Sequence, residues 1–137
     1  MSFLFSILLA GAMSLAGGPN MPADDPVTPL AQAVYHKLSP QEAKALLDRN
    51  PAIKLVDVRT ETEFREQRIA GSLLIPDYEI ETLAPQLLPD KNEKIFLYCR
   101  SGRRSRTAAM KLVEMGYTQV YDFGGIIDWP YATISGK

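Results

Sequence analysis

The chain has 137 residues, of which 46% are hydrophobic, so it is long enough for one domain with a buried core. Its 15 Lys and Arg residues nearly balance its 16 Asp and Glu residues, which argues against a nucleic-acid partner. One cysteine and one histidine exclude an intramolecular disulfide, a Cys-x-x-Cys redox pair and a Cys/His metal site, so we predict no metal and no cofactor.

The N-terminal segment differs in composition from the rest of the chain. Residues 3–16 are apolar or small, a run as long as the hydrophobic part of a signal peptide and short for a membrane span. We therefore expect residues 1–18 to be an export signal, which implies a periplasmic or other extracytoplasmic protein. An uncleaved N-terminal membrane anchor and a start of translation at Met13 or Met21 are the alternatives. Residues 19–34 are rich in Gly and Pro and predict a flexible linker.

Two capping boxes mark the first helices of the remaining chain. Ser39 and Glu42 have the spacing in which a serine and a glutamate cap a helix start, with a proline between them at the first helical position. The β-branched run at residues 52–58 predicts a buried strand. Thr60 and Glu63 repeat the capping-box spacing, so a second helix is expected just past that strand.

The middle of the chain predicts two more strands around a weaker helix. Residues 72–76 form a short apolar run closed by a proline, which indicates a strand. Residues 79–88 are typical of a helix, and we expect Pro85 to break it. Residues 93–99 are apolar on both faces, as in the middle strand of a parallel sheet.

The last elements complete an alternating pattern. Ser105 is the expected N-cap of a long helix, and Gly116 stands where a glycine ends one. Residues 119–123 predict a last strand, and residues 124–129 a short helical turn. Strands that alternate with helices over residues 35–137 predict an α/β domain with an open, mainly parallel sheet flanked by helices.

The only cysteine, Cys99, ends the central strand and is followed by a cationic loop. Four of the eight arginines stand in the next seven positions: Arg100, Arg103, Arg104 and Arg106. In open α/β sheets ligands bind at the carboxyl ends of strands, and a loop that leads into a helix can present N–H groups to an anion. Positive charge and N–H donors favour the nucleophilic thiolate. We therefore predict a reactive Cys99 in a small anion-binding cup; the alternative is a buried apolar cysteine beside solvated arginines.

The sequence "CRSGRRS" at residues 99–105 resembles the active-site loop of rhodaneses, the thiosulfate sulfurtransferase family. "LVDVRTETEF", "RIAGSLLIP" and "MGYTQVYDFGGIIDW" are similar to other motifs of that family, and the resemblance extends from Tyr35 to the C-terminus. Gln67 and Arg68 replace the usual Gly-His, and Leu74 replaces the usual Asn, which we expect to change packing rather than chemistry. Single-domain members include exported bacterial proteins similar to phage-shock sulfurtransferases.

The resemblance implies a rhodanese-like fold and a double displacement. Cys99 would take the outer sulfur of thiosulfate, hold it as a persulfide, and pass it to a thiol, a thioredoxin-like protein or cyanide. A membrane would be a partner only through an uncleaved N-terminal segment. Arg100 and Arg103 are expected to face the sulfonate, and Arg104 to point inward or brace the loop. The substrate-binding residues implied in this way are Arg100, Ser101, Gly102, Arg103, Arg104 and Ser105.

The length of the cysteine loop distinguishes sulfur transfer from two related activities, those of phosphatases and arsenate reductases. Four residues lie between Cys99 and Arg104, whereas related phosphatases and arsenate reductases have five and a larger cup. The shorter loop favours sulfur transfer. A non-catalytic persulfide carrier or binding module, loaded by a partner protein, is the main alternative.

Four residues outside the loop are expected to have structural roles. Asp57 ends the neighbouring strand, and we expect it to pair with a loop arginine. Arg59 and Glu63 have the i, i+4 spacing of a helical ion pair. Trp129 is expected to pack over the core, with the pocket mouth as its alternative place.

Overall fold

The computed structural model describes residues 34–137, so the predicted export signal and nearly all of the predicted linker lie outside the described residues. Within that range strands and helices alternate as predicted. The elements are β1 (His36–Lys37), α1 (Pro40–Arg49), β2 (Lys54–Asp57), α2 (Glu61–Glu66), β3 (Leu73–Leu74), α3 (Ile80–Leu87), β4 (Ile95–Cys99), α4 (Arg103–Glu114) and β5 (Val120–Gly125). Short 3₁₀ turns lie at Asp77–Glu79 and Ile126–Asp128.

The five strands form one sheet in the order β1-β5-β4-β2-β3, and all four neighbouring pairs are parallel. This confirms the predicted α/β class and the parallel sheet. Strand β1 was not predicted from the sequence, because its two exposed residues, His36 and Lys37, carry no apolar signal. The carboxyl end of β4 lies between β5 and β2, which places Cys99 at the centre of one edge of the sheet.

The sheet buries a separate core on each face, and β4 contributes to both. Ile95, Leu97 and Cys99 belong to the cluster under α3 and α4, whereas Phe96 and Tyr98 belong to the cluster under α1. This alternation follows from the two-residue period of a strand. Burial of each large apolar side chain contributes about 1.5–3 kcal/mol, and all five residues of the strand that carries the cysteine are buried.

The helix starts at α1 and α2 are those that the capping boxes predict. Ser39 Oγ accepts the Glu42 N–H at 3.0 Å, and Glu42 Oε1 accepts the Ser39 N–H at 2.8 Å. Thr60 and Glu63 make the same reciprocal bonds at 3.2 and 3.0 Å. Each pair satisfies two N–H groups that a helix start leaves without a carbonyl.

Two sequence-based predictions about helices were wrong. Helix α3 runs through Pro85 to Leu87, and the Leu88 N–H still closes the last turn on Ala84 at 2.7 Å. The proline removes a single backbone bond two residues before the helix ends, while Ala84 and Leu88 stay buried. Helix α4 begins at Arg103 rather than after Ser105, and its N-cap is Gly102.

In the part of the chain that the structure describes, every helix is too short or too polar to cross a membrane.

Candidate active site

Cys99 is the last residue of β4 and has 0% exposed surface. Its side chain packs in the core cluster under α4, while its Sγ accepts the Gly102 N–H at 3.0 Å. The pairing of β4 with β5 shifts here, because Leu97 lies opposite Asp122 but Cys99 lies opposite Gly125. The extra residue on β5 bends that strand around the loop, as a β-bulge does.

The loop between Cys99 and α4 is only three residues long, Arg100–Gly102. Gly102 has φ +105°, in the left-handed region that glycine tolerates best, and this turn brings its N–H onto the sulfur. The next N–H groups, in the first turn of α4, have no intrahelical carbonyl and carry the positive end of the helix dipole. The sulfur therefore meets a hydrogen-bond donor on the side of the helix N-terminus.

Gly125 packs directly against this loop. A Cβ on Gly125 would lie 2.1 Å from the Arg100 carbonyl oxygen, closer than any real contact. The same carbonyl accepts the Ile127 N–H at 3.2 Å, so β5 and the turn after it hold the loop from one side. Sequence reasoning missed Gly125 as a site residue, although the Gly-Gly pair at the end of β5 was the signal for a close backbone approach.

Of the arginines that follow Cys99, Arg104 forms an ion pair, whereas Arg100 and Arg103 are exposed. Arg104 forms a two-point ion pair with Glu63 of α2, with Nη1–Oε1 at 2.8 Å and Nη2–Oε2 at 2.9 Å. The hydrogen bonds from Arg104 lower the pKa of Glu63 to about 2, below its ordinary 4.5. Arg100 and Arg103 are exposed, as is Ser101 between them.

The expected pairing of Asp57 with a loop arginine was wrong, and so was the expected bridge between Arg59 and Glu63. Asp57 is fully buried and pairs with Arg59, whose Nη2 lies 2.7 Å from Asp57 Oδ2. Arg59 also donates to the carbonyl oxygen of Gln67. Arg59 lies two residues past Asp57, the last residue of β2, and its side chain folds back onto the Asp57 carboxylate. Glu63 pairs with Arg104 instead. Asp57 and Arg59 therefore form an ion pair with each other at the carboxyl end of β2.

Tyr98, next to the cysteine, is fixed on the opposite face of the sheet. Burial raises the pKa of Tyr98, and the nearby charge of Asp57 adds to the effect. Its hydroxyl accepts the Ile69 N–H at 3.0 Å and donates to Ser72 Oγ at 3.2 Å. This neutral phenol ties β4 to the segment before β3.

Ser105 is buried, and its hydroxyl donates to Asp122 Oδ1 at 2.7 Å. The same oxygen accepts the Gly124 N–H at 2.9 Å, and Lys37 Nζ lies 3.3 Å from Oδ2. Asp122 is itself fully buried, so a carboxylate beneath the loop joins α4, the bulge of β5 and β1. Sequence reasoning missed Asp122; a lone Asp inside an otherwise apolar strand was the only signal.

Arg68, one of the two residues that stand in place of the usual Gly-His, contacts the C-terminal segment. Its N–H and carbonyl pair with Ile134 at 2.8 Å in both directions, and its guanidinium donates to the Gly136 carbonyl at 2.6 Å. The guanidinium also lies 4.6 Å from the centre of the Phe64 ring. Through these contacts Arg68 packs the C-terminal segment and Phe64 against the domain.

Trp129 packs over the core, as predicted, with ring centres 5.3 Å from Phe123 and 5.0 Å from Tyr131. It lines a cavity of about 320 Å³ under α1, to which residues 99–105 contribute nothing. The cavity is therefore separate from the cysteine loop.

Cys99 thus lies at the carboxyl end of a central parallel strand, with its sulfur on an N–H at a helix start and arginines nearby. N–H donors at a helix start and positive charge favour anionic groups over neutral ones. A model of the family described as "Rhodanese-like domain" matches residues 39–130, more than half of the chain. The protein belongs to the rhodanese family.

Two similar proteins and one solved structure agree with the assignment to the rhodanese family. The thiosulfate sulfurtransferase PspE of Escherichia coli is 35% identical over 81 residues, which cover 59% of this chain and 78% of that protein. YrkF of Bacillus subtilis, which is named as a sulfur carrier protein, is 32% identical over 94 residues, 68% of this chain and 50% of that protein. A solved structure described as a rhodanese with anions from E. coli has 34% identity and a TM-score of 0.59, and covers 62% of this chain and 100% of that one.

Proposed function

We propose that this rhodanese is a thiosulfate sulfurtransferase that acts through a persulfide on Cys99. The observation that carries the proposal is the 3.0 Å contact between Cys99 Sγ and the Gly102 N–H at the start of α4. A backbone donor, a helix N-terminus and neighbouring guanidinium groups stabilise an anionic sulfur more than a neutral thiol. The similarity to PspE, which is named a thiosulfate sulfurtransferase, supports thiosulfate as the donor.

The reaction has two displacement steps at sulfur. The Cys99 thiolate attacks the outer sulfur of thiosulfate; a new S–S bond forms, the S–S bond of thiosulfate breaks, and sulfite leaves with the electron pair. An acceptor thiolate or cyanide then attacks the terminal sulfur of the persulfide and releases the Cys99 thiolate. Each step exchanges one nucleophile for another, so no external oxidant or reductant is needed.

The loop residues have separate roles in this mechanism. Arg100 and Arg103 are exposed beside the cysteine and supply positive charge for the sulfonate and the departing sulfite. The N–H groups of Ser101, Gly102 and the first turn of α4 would hold the terminal sulfur of the persulfide. Arg104 braces the loop through Glu63, and Ser105 positions it through its bond to Asp122.

Access to the sulfur requires a small movement of the loop. Cys99 has 0% exposed surface, so solvent does not reach its sulfur in the state that the structure describes. Arg100 and Ser101, the two residues that follow Cys99, are exposed. A displacement of this three-residue loop is therefore part of the proposed first step.

Intact-mass measurement after incubation with thiosulfate tests the function directly. We expect Cys99 to become one sulfur atom heavier, with release of one sulfite for each persulfide, and Cys99→Ser to show neither change. Addition of cyanide should then restore the original mass and form thiocyanate. A protein that remains folded yet shows no mass change and no sulfite at any thiosulfate concentration would overturn the proposal.

A persulfide carrier loaded by a partner protein is the second candidate, which the similarity to YrkF favours. It predicts no persulfide from thiosulfate, but uptake of sulfur from a persulfidated protein donor. The mass experiment therefore distinguishes the two candidates when it is run with each donor.

Phosphatase or arsenate reductase action has weaker support. Arg104, the second residue of α4, donates from both terminal nitrogens to Glu63 and is not free for a tetrahedral anion. We expect the purified domain to hydrolyse no aryl phosphate.

Export is proposed on the composition of residues 1–18 alone, which lie outside the described residues. N-terminal sequencing of the mature protein from its host is the test. Cleavage near residue 18 supports export by a signal peptide, and an intact N-terminus in the membrane fraction supports the anchor.

A further inference from the structure

Unpaired positive charge surrounds the cysteine loop. Arg100, Arg103 and Arg106 are exposed, and none of the three forms an ion pair in the described part of the chain. Arg104 differs, because Glu63 neutralises it. We call Arg100, Arg103 and Arg106 the arginine rim. Since the whole chain has a net charge of −1, this positive excess is local.

Two exposed apolar side chains flank the rim. Ile127 is 60% exposed, and its N–H donates to the Arg100 carbonyl at 3.2 Å, which places it beside the loop. Tyr78 is 70% exposed and lies in the 3₁₀ turn that packs against α4 on the other side. A single exposed apolar residue is ordinary, but Tyr and Arg beside one reactive group have the composition of a protein interface.

The carboxylates on these turns do not cancel the rim. Asp77 and Glu79 flank Tyr78, and Asp128 follows Ile127. In the part of the chain that the structure covers, none of these three carboxylates forms an ion pair with a rim arginine. The charge of Asp77 acts on Arg104, where it contributes to the raised pKa of that guanidinium after the larger effect of Glu63.

The rim extends further than a small anion needs. Arg106 stands three residues after Arg103 on α4, which is about 4.5 Å along the helix axis at 1.5 Å per residue. It therefore carries the positive surface away from Cys99, toward a ligand wider than thiosulfate. Long-range attraction by such a surface raises association rates with anionic partners and weakens as salt is added.

We propose that the arginine rim, with Tyr78 and Ile127, is the docking surface for an acidic protein that brings an exposed cysteine thiol to the Cys99 persulfide. The proposal rests on the proposed function and names the class of its acceptor. The acceptor thiolate attacks the terminal sulfur and becomes a persulfide itself, while the Cys99 thiolate leaves.

Two cysteine peptides of equal length test the charge preference, one flanked by glutamates and the other by lysines. The full chain is loaded with thiosulfate, freed of excess donor, and mixed with each peptide, and sulfur transfer is followed by mass. We expect the acidic peptide to react at least about tenfold faster at low salt. The advantage should shrink between about 0.01 M and about 1 M salt, where the Debye length falls from ~30 Å to ~3 Å.

Matched variants locate the surface. Arg106→Glu should reduce the preference for the acidic peptide roughly threefold or more, because it reverses one charge of the rim. Arg49→Glu makes the same change at the end of α1, at the opposite edge of the sheet, and should leave the preference unchanged. The reaction of the loaded protein with cyanide should be the same in both variants, since Arg106 lies outside the proposed sulfur-binding loop.

The outcomes separate the docking surface from the proposed function. Loading by thiosulfate with equal transfer to both peptides, or equal effects of Arg106→Glu and Arg49→Glu, overturns the docking surface and leaves the function standing. If no persulfide forms, the function fails, and the surface is tested by the attack of the Cys99 thiolate on each peptide joined by a disulfide to an aromatic thiol. Faster release of the aromatic thiolate from the acidic peptide supports the surface, and equal rates or no reaction overturn it.

Discussion

Arg104 and Glu63 join the start of α4 to the capping box of α2 by two parallel hydrogen bonds of 2.8 and 2.9 Å. Glu63 therefore has two tasks, since its Oε1 also accepts the Thr60 N–H at 3.0 Å. Through this pair the helix that follows the cysteine loop is held by the helix that follows the neighbouring strand. The position of the first turn of α4, and of its N–H groups, depends on it.

Replacement of Glu63 by Gln should lower the free energy of unfolding by about 1 kcal/mol. Gln keeps the capping box with Thr60, so the change isolates the ion pair, whose side chains are 28% and 24% exposed. Urea unfolding measures the loss. Glu61→Gln, which breaks an exposed pair with Arg65, is the control and should cost only a few tenths of a kcal/mol. Equal losses in the two variants would contradict the bracing role.

The free energy of unfolding should depend on pH through the carboxylate of Glu63. Arg104 holds the pKa of Glu63 at about 2 in the folded protein, against an ordinary 4.5. A carboxyl group with a depressed folded pKa stabilises the fold above its unfolded pKa, and this contribution is lost as the pH falls toward the folded value. Between about pH 4.5 and 2 the unfolding free energy of the wild type should therefore fall more steeply than that of Glu63→Gln. Parallel curves from urea titrations across this range would show that Glu63 is not the group responsible.

Gly125→Ala should displace the cysteine loop. The added Cβ would lie 2.1 Å from the Arg100 carbonyl oxygen, and both atoms are attached to backbone, so the loop or β5 must move. We expect persulfide formation from thiosulfate, measured by mass, to slow more than about tenfold, since misplacement of catalytic groups by about 1 Å costs rates of this order or more. Gly71→Ala is the comparison, because its Cβ meets nothing within 4 Å and only its φ of +86° is strained. Persulfide formation at the wild-type rate in Gly125→Ala would refute the close approach.

Ser105→Ala should destabilise the protein by about 1–3 kcal/mol, because it removes a donor from the buried Asp122 carboxylate. The rate of persulfide formation should fall as well, since that bond holds Ser105 in the first turn of α4, directly after the cysteine loop. Thr107→Ala removes an exposed hydroxyl from the same helix and should change stability by less than about 0.5 kcal/mol. Denaturant unfolding and the mass assay provide both measurements, and a Ser105→Ala protein as stable as Thr107→Ala would exclude the network.

Much of the architecture was readable from local patterns. The capping boxes at Ser39 and Thr60 predicted two helix starts, because a short side chain and a glutamate three residues later act within one helical turn. The continuous apolar run that ends at Cys99 predicted a strand buried on both faces, which the structure confirms for all five of its residues. The class of fold, and the place of the cysteine at a strand end, follow from interactions between residues close in sequence.

The partners of charged groups depended on contacts between distant residues. Glu63 stands four residues after Arg59 but pairs with Arg104, and Asp57 takes Arg59 instead of a loop arginine. Spacing along the chain shows which pairs are within reach, whereas burial and strand order decide which pair forms. Asp122 and Gly125 became visible as site residues only because β5 lies beside β4 in the sheet.

Local patterns along the chain predict a parallel α/β domain with one cysteine at a strand end among arginines, because hydrophobic period, capping and turn preference arise from neighbouring residues. Tertiary structure decided that Gly102 presents its N–H to the sulfur, that Arg104 is neutralised while Arg106 is not, and that Gly125 supports the loop. These outcomes require elements far apart in sequence to share one edge of the sheet, and the packing of both faces brings them there.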